Sequence, residues 1–298
     1  MNDAATSERV PMTAAAQVIA APAAGDAGAA GVWRVALSHP GRLNAMSRAM
    51  WRQLRAVFEQ VQARADVRCV IVEGAASTLG EPAAFCAGGD ISEYPLFRFD
   101  ADQLRDFHEG DVWGGLAAMQ ACDVPIVAGI AGACMGAGVE IASCCDLRIA
   151  EPAARFGAPI ARLGFPMAPR EAQLVAGAVG AMTARQMLLE AATFDAHEMA
   201  QRGFLSRVVP AAELQAQVLA TAQRIAALAP QAARLNKRTL RALSAGGHEE
   251  KWPAAQDGSA HSAIDLIADI GFDPYAYADS AEHREGIAAF LAKRKPVF

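Results

Sequence analysis

Residues 125–146 read Pro125-Ile126-Val127-Ala128-Gly129-Ile130-Ala131-Gly132-Ala133-Cys134-Met135-Gly136-Ala137-Gly138-Val139-Glu140-Ile141-Ala142-Ser143-Cys144-Cys145-Asp146. The stretch opens as a β-branched, apolar run of strand length. It passes through small residues at Gly132, Gly136, Ala137 and Gly138, then continues as an apolar segment carrying one acid, Glu140. This pattern predicts a strand, a tight turn and the start of a helix. The first N–H groups of a helix have no intrahelical partner and the dipole there favours negative charge, so an oxygen gaining charge can be held against them. Small residues let a ligand come close, and Glu140 follows the turn within reach for proton transfer. Small residues also occur at strand-to-helix joints simply to let a helix pack on a sheet, so this stretch alone leaves both readings open. A dinucleotide fingerprint fits worse: the third glycine would fall at Ile141, and the next acid, Asp146, comes too early for a ribose contact.

A second small-residue turn, Ala84-Phe85-Cys86-Ala87-Gly88-Gly89-Asp90-Ile91, follows the strand-like run Cys69-Val70-Ile71-Val72-Glu73-Gly74. Two such turns, each after a buried strand, can bring two backbone N–H donors to one point, which is the layout of an oxyanion hole.

Together these two motifs resemble the enoyl-CoA hydratase/isomerase (crotonase) family. Leu43-Asn44-Ala45-Met46-Ser47 resembles the family's first turn and Glu285-Gly286-Ile287-Ala288-Ala289-Phe290-Leu291-Ala292-Lys293-Arg294-Lys295-Pro296 its C-terminus, so the likeness covers roughly residues 31–298. It implies an α/β fold, a crotonase-like core of repeated ββα units wound as a spiral, with a C-terminal helical region that builds homotrimers, often paired into hexamers. The implied chemistry is that of an enoyl-CoA hydratase-like lyase or isomerase acting on an acyl-CoA thioester through its enolate. It needs no cofactor and no metal, coenzyme A being part of the substrate. Carried over residue by residue, the resemblance puts the oxyanion N–H donors on Gly89 and Ala137 and the acid/base on Glu140. Ala45, Ala87, Gly88, Ile91 and Gly136 would border the CoA chain, and Phe290 and Lys293 would approach CoA on the same or a neighbouring subunit. Ala137 stands where glycine is usual, but only its N–H is needed.

One departure bears on the reaction. Hydratases of the family carry a second glutamate where this chain has Ile160, and an isoleucine transfers no proton. Adding water to an α,β-unsaturated thioester requires activation of water at C3 and a proton at C2, whereas moving a double bond can be done by one shuttling carboxylate. Three readings follow. Glu109, Asp111 or Glu171 could replace the missing acid; Glu140 could act alone in an isomerisation, dehydration, decarboxylation or thioester cleavage; or the chain could be a non-catalytic CoA-thioester-binding oligomer. Loss of one acid/base group slows a site by about 10²–10⁴-fold without abolishing enolate stabilisation, which favours retained catalysis.

The rest of the chain sets bounds. With 298 residues and 53% hydrophobic composition it can bury a full core, and a net charge of −5 offers no basic field for nucleic acid or an anionic membrane. The six cysteines show no metal-ligand spacing and read as reduced core residues of a cytoplasmic protein. Residues 1–30, Ala-rich and aperiodic, read as a disordered tail without a secretory signal. The core is expected over 31–228 and the C-terminal helical oligomerisation region over 229–298. Within the core, 32–37 reads as a strand and 47–63 as a helix capped by Ser47. The resemblance implies that the aromatic and acidic segment 92–122 lines the acyl pocket; His108 and Glu109 there are either site residues or a solvated helix face. Asp90 and Asp146 read as local hydrogen-bonding residues, and His197 as a surface residue of a helix.

Overall fold

The computed structural model describes residues 15–23, 29–77, 79–246 and 273–298. Its architecture follows from strands that are apolar on both faces, the pattern of a parallel sheet covered on both sides. Strands β1 (Gln17–Pro22), β2 (Val32–Ser38), β3 (Cys69–Gly74), β5 (Ile126–Ile130), β7 (Leu147–Ala150) and β10 (Arg207–Val208) form one sheet in the order β1-β2-β3-β5-β7-β10. Between them, β4 (Ala84–Cys86), β6 (Ala133–Met135), β8 (Arg155–Gly157) and β9 (Thr193–Asp195) form a second sheet. The chain therefore alternates between sheets, β3 to β4, β5 to β6 and β7 to β8, and each pair of strands is followed by helical structure. This is the expected spiral of ββα turns.

Val70 and Val72 face the main core with Met50, Leu54 and Phe58 of helix α1 (Arg48–Ala63), while Ile71, Val127 and Ile149 pack on the opposite side beneath Leu214 and Val218 of a later helix, Leu214–Ala226. Successive residues of a strand point to opposite faces, so one apolar run serves both cores. The Ser47 hydroxyl accepts the Met50 N–H at 3.2 Å, as the cap reading requires.

Two expectations are corrected. Gln17–Pro22, placed in the disordered tail, is edge strand β1, antiparallel to β2. Val18 and Ala20 turn towards the core while Gln17, Ile19 and Ala21 stay exposed, and its alanines and Pro22 hide that alternation from a propensity reading. Residues 1–14 and 24–28 of the tail lie outside the described residues. The stretch after Pro125 is also not one strand and a turn: Gly132, with φ at +58°, breaks it into β5 and β6, which belong to different sheets.

Segment 91–121 is more broken than a plain helix. It comprises a 3-10 turn (Ile91–Leu96), helix α2 (Ala101–Arg105), a π-helical turn (Asp106–Val112) and helix α3 (Trp113–Ala121). Helix α4 (Ala137–Ser143) carries Glu140, and α5 (Pro169–Val179), α6 (Ala181–Leu189), α7 (Ala196–Gln201) and α8 (Leu214–Ala226) complete the core. Helices α9 (Pro230–Gly246) and α10 (Ala281–Leu291) form the described C-terminal region, residues 247–272 lying outside it. No helix among the described residues is long and apolar enough to cross a membrane.

Candidate active site

The two glycine-bearing turns meet. Asn44, buried and with φ at +58°, donates from Nδ2 to the carbonyls of Ala75 (3.0 Å) and Ala84 (2.8 Å), fixing the first turn against the approach to β4. Met46 then pairs with Gly89: the Met46 N–H donates to Gly88 O at 2.8 Å and the Asp90 N–H to Met46 O at 2.8 Å. In parallel pairing this arrangement turns the Gly89 N–H away from the bridge. On the other side Gly136, with φ at +46°, donates to Gly157 O at 2.8 Å and aims the chain into α4. Ala137, first residue of that helix, has an N–H with no intrahelical acceptor. A side chain at Gly89 would meet the Tyr94 hydroxyl, which would have to shift to admit it.

Both turns border a cavity of about 210 Å³. Ala87, Gly88, Gly89 and Ile91 enter from the first side, and Gly136, Ala137 and Glu140 from the second. Ala45 is buried beside them without reaching the cavity, and Phe290 and Lys293, near the C-terminus, are not part of its wall; Phe290 is 81% exposed. Ile160 does line it, and offers only hydrocarbon.

The three acids proposed to replace a glutamate at 160 separate cleanly. Glu109 faces outward and pairs with Arg170 at 3.2 Å. Asp111 is buried but turns towards α1, accepting Arg48 Nε and Arg52 Nε at 2.6 Å each. Glu171, only 3% exposed, lines the cavity with Glu140. It is the third residue of α5, where the helix dipole favours a carboxylate, and its Oε1 lies 2.9 Å from His108 Nδ1. Through this contact His108 orients the carboxyl group, whichever of the two carries the proton between them. His108 is carried by the π-helical turn, a local widening that often marks functional sites. His108 is thus a cavity residue and Glu109 a surface one.

Burial, reinforced by the Glu171 carboxylate, pushes the Glu140 carboxyl well above the ordinary glutamate range. Burial likewise pushes the Tyr94 phenol to about 12, which keeps it a hydrogen-bond donor. The Cys86 thiol beneath the first turn is also raised to about 12 and stays protonated. Among the described residues no cluster of His, Cys, Asp and Glu has the geometry of a metal site. Asp90 accepts the Ser92 N–H (3.1 Å) and hydroxyl (2.7 Å), a local contact, whereas Asp146 reaches further, accepting the Ile126 N–H at 2.7 Å and pairing with Lys237 of α9 at 2.8 Å.

The far wall is aromatic: Tyr94, Phe107 and Phe165 touch edge to face, with ring centroids 6.1 and 6.0 Å from Tyr94. Arg98 lies over two of them, 4.4 Å from the Tyr94 centroid and 3.6 Å from that of Phe165. Sequence reading did not single out Arg98; the available signal was one cation inside the aromatic run Tyr94-Pro95-Leu96-Phe97-Arg98-Phe99.

The family model for enoyl-CoA hydratase/isomerase matches residues 27–298. A protein of Mycobacterium bovis named probable enoyl-CoA hydratase echA8 is 30% identical over 264 residues, covering 89% of this chain and 93% of its own. Among solved structures, an enoyl-CoA hydratase/carnitine racemase of Magnetospirillum magneticum superposes with a TM-score of 0.77 at 34% identity, covering 90% of this chain and 92% of the other. One from Geobacillus kaustophilus, described as an enoyl-CoA hydratase subunit, gives 0.75 at 27% identity over 94% and 97%. The spiral of ββα turns, the two converging glycine turns and these matches together place the chain in the enoyl-CoA hydratase/isomerase family.

Proposed function

We propose that the protein is an enoyl-CoA hydratase that works through a thioester enolate, with Glu140 and Glu171 as its pair of proton-transfer groups. The observation that carries this reading is the convergence of two buried carboxyl groups on one cavity bordered by Gly89 and Ala137. The thioester oxygen would accept the N–H groups of Gly89 and Ala137, which stabilise the charge that develops as C3 is attacked. Glu171, oriented by His108, takes a proton from the attacking water. Glu140, whose carboxyl burial pushes above the ordinary glutamate range, delivers one to C2.

The backbone of Ala45, Ala87, Gly88, Ile91 and Gly136 would follow the CoA chain. Phe290 and Lys293 stand apart from this cavity in the single chain, which suits contact with CoA held by a neighbour in a trimer or hexamer. Free, protonated thiols suit a reducing compartment such as the cytoplasm. The chemistry asks for no cofactor beyond the CoA of the substrate. The test is incubation with crotonyl-CoA and with a 3-enoyl-CoA. Loss of the conjugated thioester absorbance with gain of one water from crotonyl-CoA is expected. Turnover of the 3-enoyl substrate alone, without change of mass, would instead make the protein an isomerase.

A further inference from the structure

Resting on the acyl-CoA reading, we infer that Arg98 is an anchor for a carboxylate at the far end of the acyl group, so that the preferred substrates are short acyl-CoA thioesters of dicarboxylic acids. A guanidinium carries five N–H donors. Nη1 of Arg98 is a buried polar atom that makes no hydrogen bond within the described structure, and no carboxylate lies within ion-pair distance of this side chain among the described residues. The Tyr94 and Phe165 rings hold its charge through their faces without using any of its N–H groups. Glu171, the acid whose field reaches it, is bonded to His108. Burial meanwhile works against the charge of Arg98. A planar anion suits an Arg placed this way, and a carboxylate meets its open donors with two parallel hydrogen bonds.

Its position says which anion. The Tyr94 hydroxyl lies against Gly89, where the thioester oxygen would sit, and the face of the same ring lies beneath Arg98. One phenol ring therefore separates the reacting end from the guanidinium, and both belong to the wall of one cavity of about 210 Å³. A short chain with a terminal carboxylate spans that interval. A CoA phosphate would be a second source of anion; binding data separate the two.

The experiment compares glutaryl-CoA with pentanoyl-CoA, which has the same chain length and lacks the carboxylate, by equilibrium binding to the full chain and to Arg98→Met and Arg98→Lys. Neither thioester has a double bond to hydrate, so binding is read apart from catalysis. Glutaryl-CoA should bind the parent at least ~10-fold more tightly, as a charge-assisted bidentate contact implies. Arg98→Met should abolish that preference while leaving pentanoyl-CoA within about threefold, and Arg98→Lys should keep part of it. Equal or weaker binding of glutaryl-CoA by the parent protein, or an undiminished preference in Arg98→Met, would overturn the inference; so would equal weakening of both thioesters and free CoA, which would assign Arg98 to the phosphates. If no CoA thioester bound at all, the acyl-CoA reading would fall and this inference with it.

Discussion

Replacing Glu171 by glutamine should separate hydration from double-bond migration. The substitution is nearly isosteric, and the amide can still hydrogen-bond the His108 Nδ1 now held at 2.9 Å. The site is 3% exposed, so the change removes a charge from a dry wall without opening a cavity. What is lost is a base: about 10²–10⁴-fold in kcat for hydration of crotonyl-CoA, equivalent to about 2.7–5.4 kcal/mol of barrier. KM should stay within about threefold, since Glu171 would act on water rather than on the CoA chain. Migration of the double bond in a 3-enoyl-CoA needs one shuttling acid and should fall far less, whereas Glu140→Gln should suppress both reactions. Absorbance at the conjugated thioester band, with products identified by mass, measures both rates, and thermal unfolding checks that the variant is folded. A folded Glu171→Gln that hydrates crotonyl-CoA at the parent kcat would refute the role given to Glu171.

In the Glu171→Gln background, Ile160→Glu should restore part of the hydration rate, because position 160 lines the same cavity; no recovery in a folded double variant would count against a shared proton-transfer task. Glu140→Gln should raise the melting temperature at neutral pH. The folded-state pKa of Glu140 is raised, so on increasing pH above its ordinary value of 4.5 the unfolded chain loses a proton that the folded one retains, and stability falls. Glutamine escapes that loss, and its advantage should vanish below pH ~4. Asp111→Asn should destabilise the fold by about 2–3 kcal/mol in denaturant unfolding, since the buried Asp111 carboxylate accepts both Arg48 and Arg52. By loosening the turn that carries His108 it should also lower kcat for hydration more than for isomerisation. Equal loss of both rates would confine Asp111 to a purely structural role.

The glycine turns and the place of Glu140 were legible because their pattern is local: small residues at fixed offsets after a buried strand fix the backbone. The loss at Ile160 was legible for the same reason. The acid that shares the cavity with Glu140 was only one of three candidates, because tertiary packing decides where the carboxyl groups of Glu109, Asp111 and Glu171 are aimed. Glu109 and Asp111 are two residues apart on one π-helical turn, and one meets solvent while the other meets α1. That turn has no sequence signature, and neither has the approach of α5 that brings Glu171 to His108. Edge strand β1 was missed for another reason: its pairing with β2, rather than the preference of its Ala and Pro residues, makes it a strand.

On the proposed reading, carrying the second acid at 171 rather than at 160 changes what the acid depends on. A residue at 160 sits in a short 3-10 turn (Ile160–Leu163) after β8, held by the small sheet. Glu171 instead rides on the first turn of an eleven-residue helix and takes its orientation from His108, which takes its own from a π-helical turn clamped to α1 through Asp111, Arg48 and Arg52. The same segment supplies Tyr94, Arg98 and Phe107 to the far wall. On the proposed roles, His108, which orients Glu171, and Arg98, which meets the acyl end, lie on one continuous stretch of chain, 91–112, whereas the oxyanion donors would belong to turns fixed by strand pairing. Substitutions in that stretch should consequently alter rate and specificity together, while the stabilisation of the enolate, anchored elsewhere, persists.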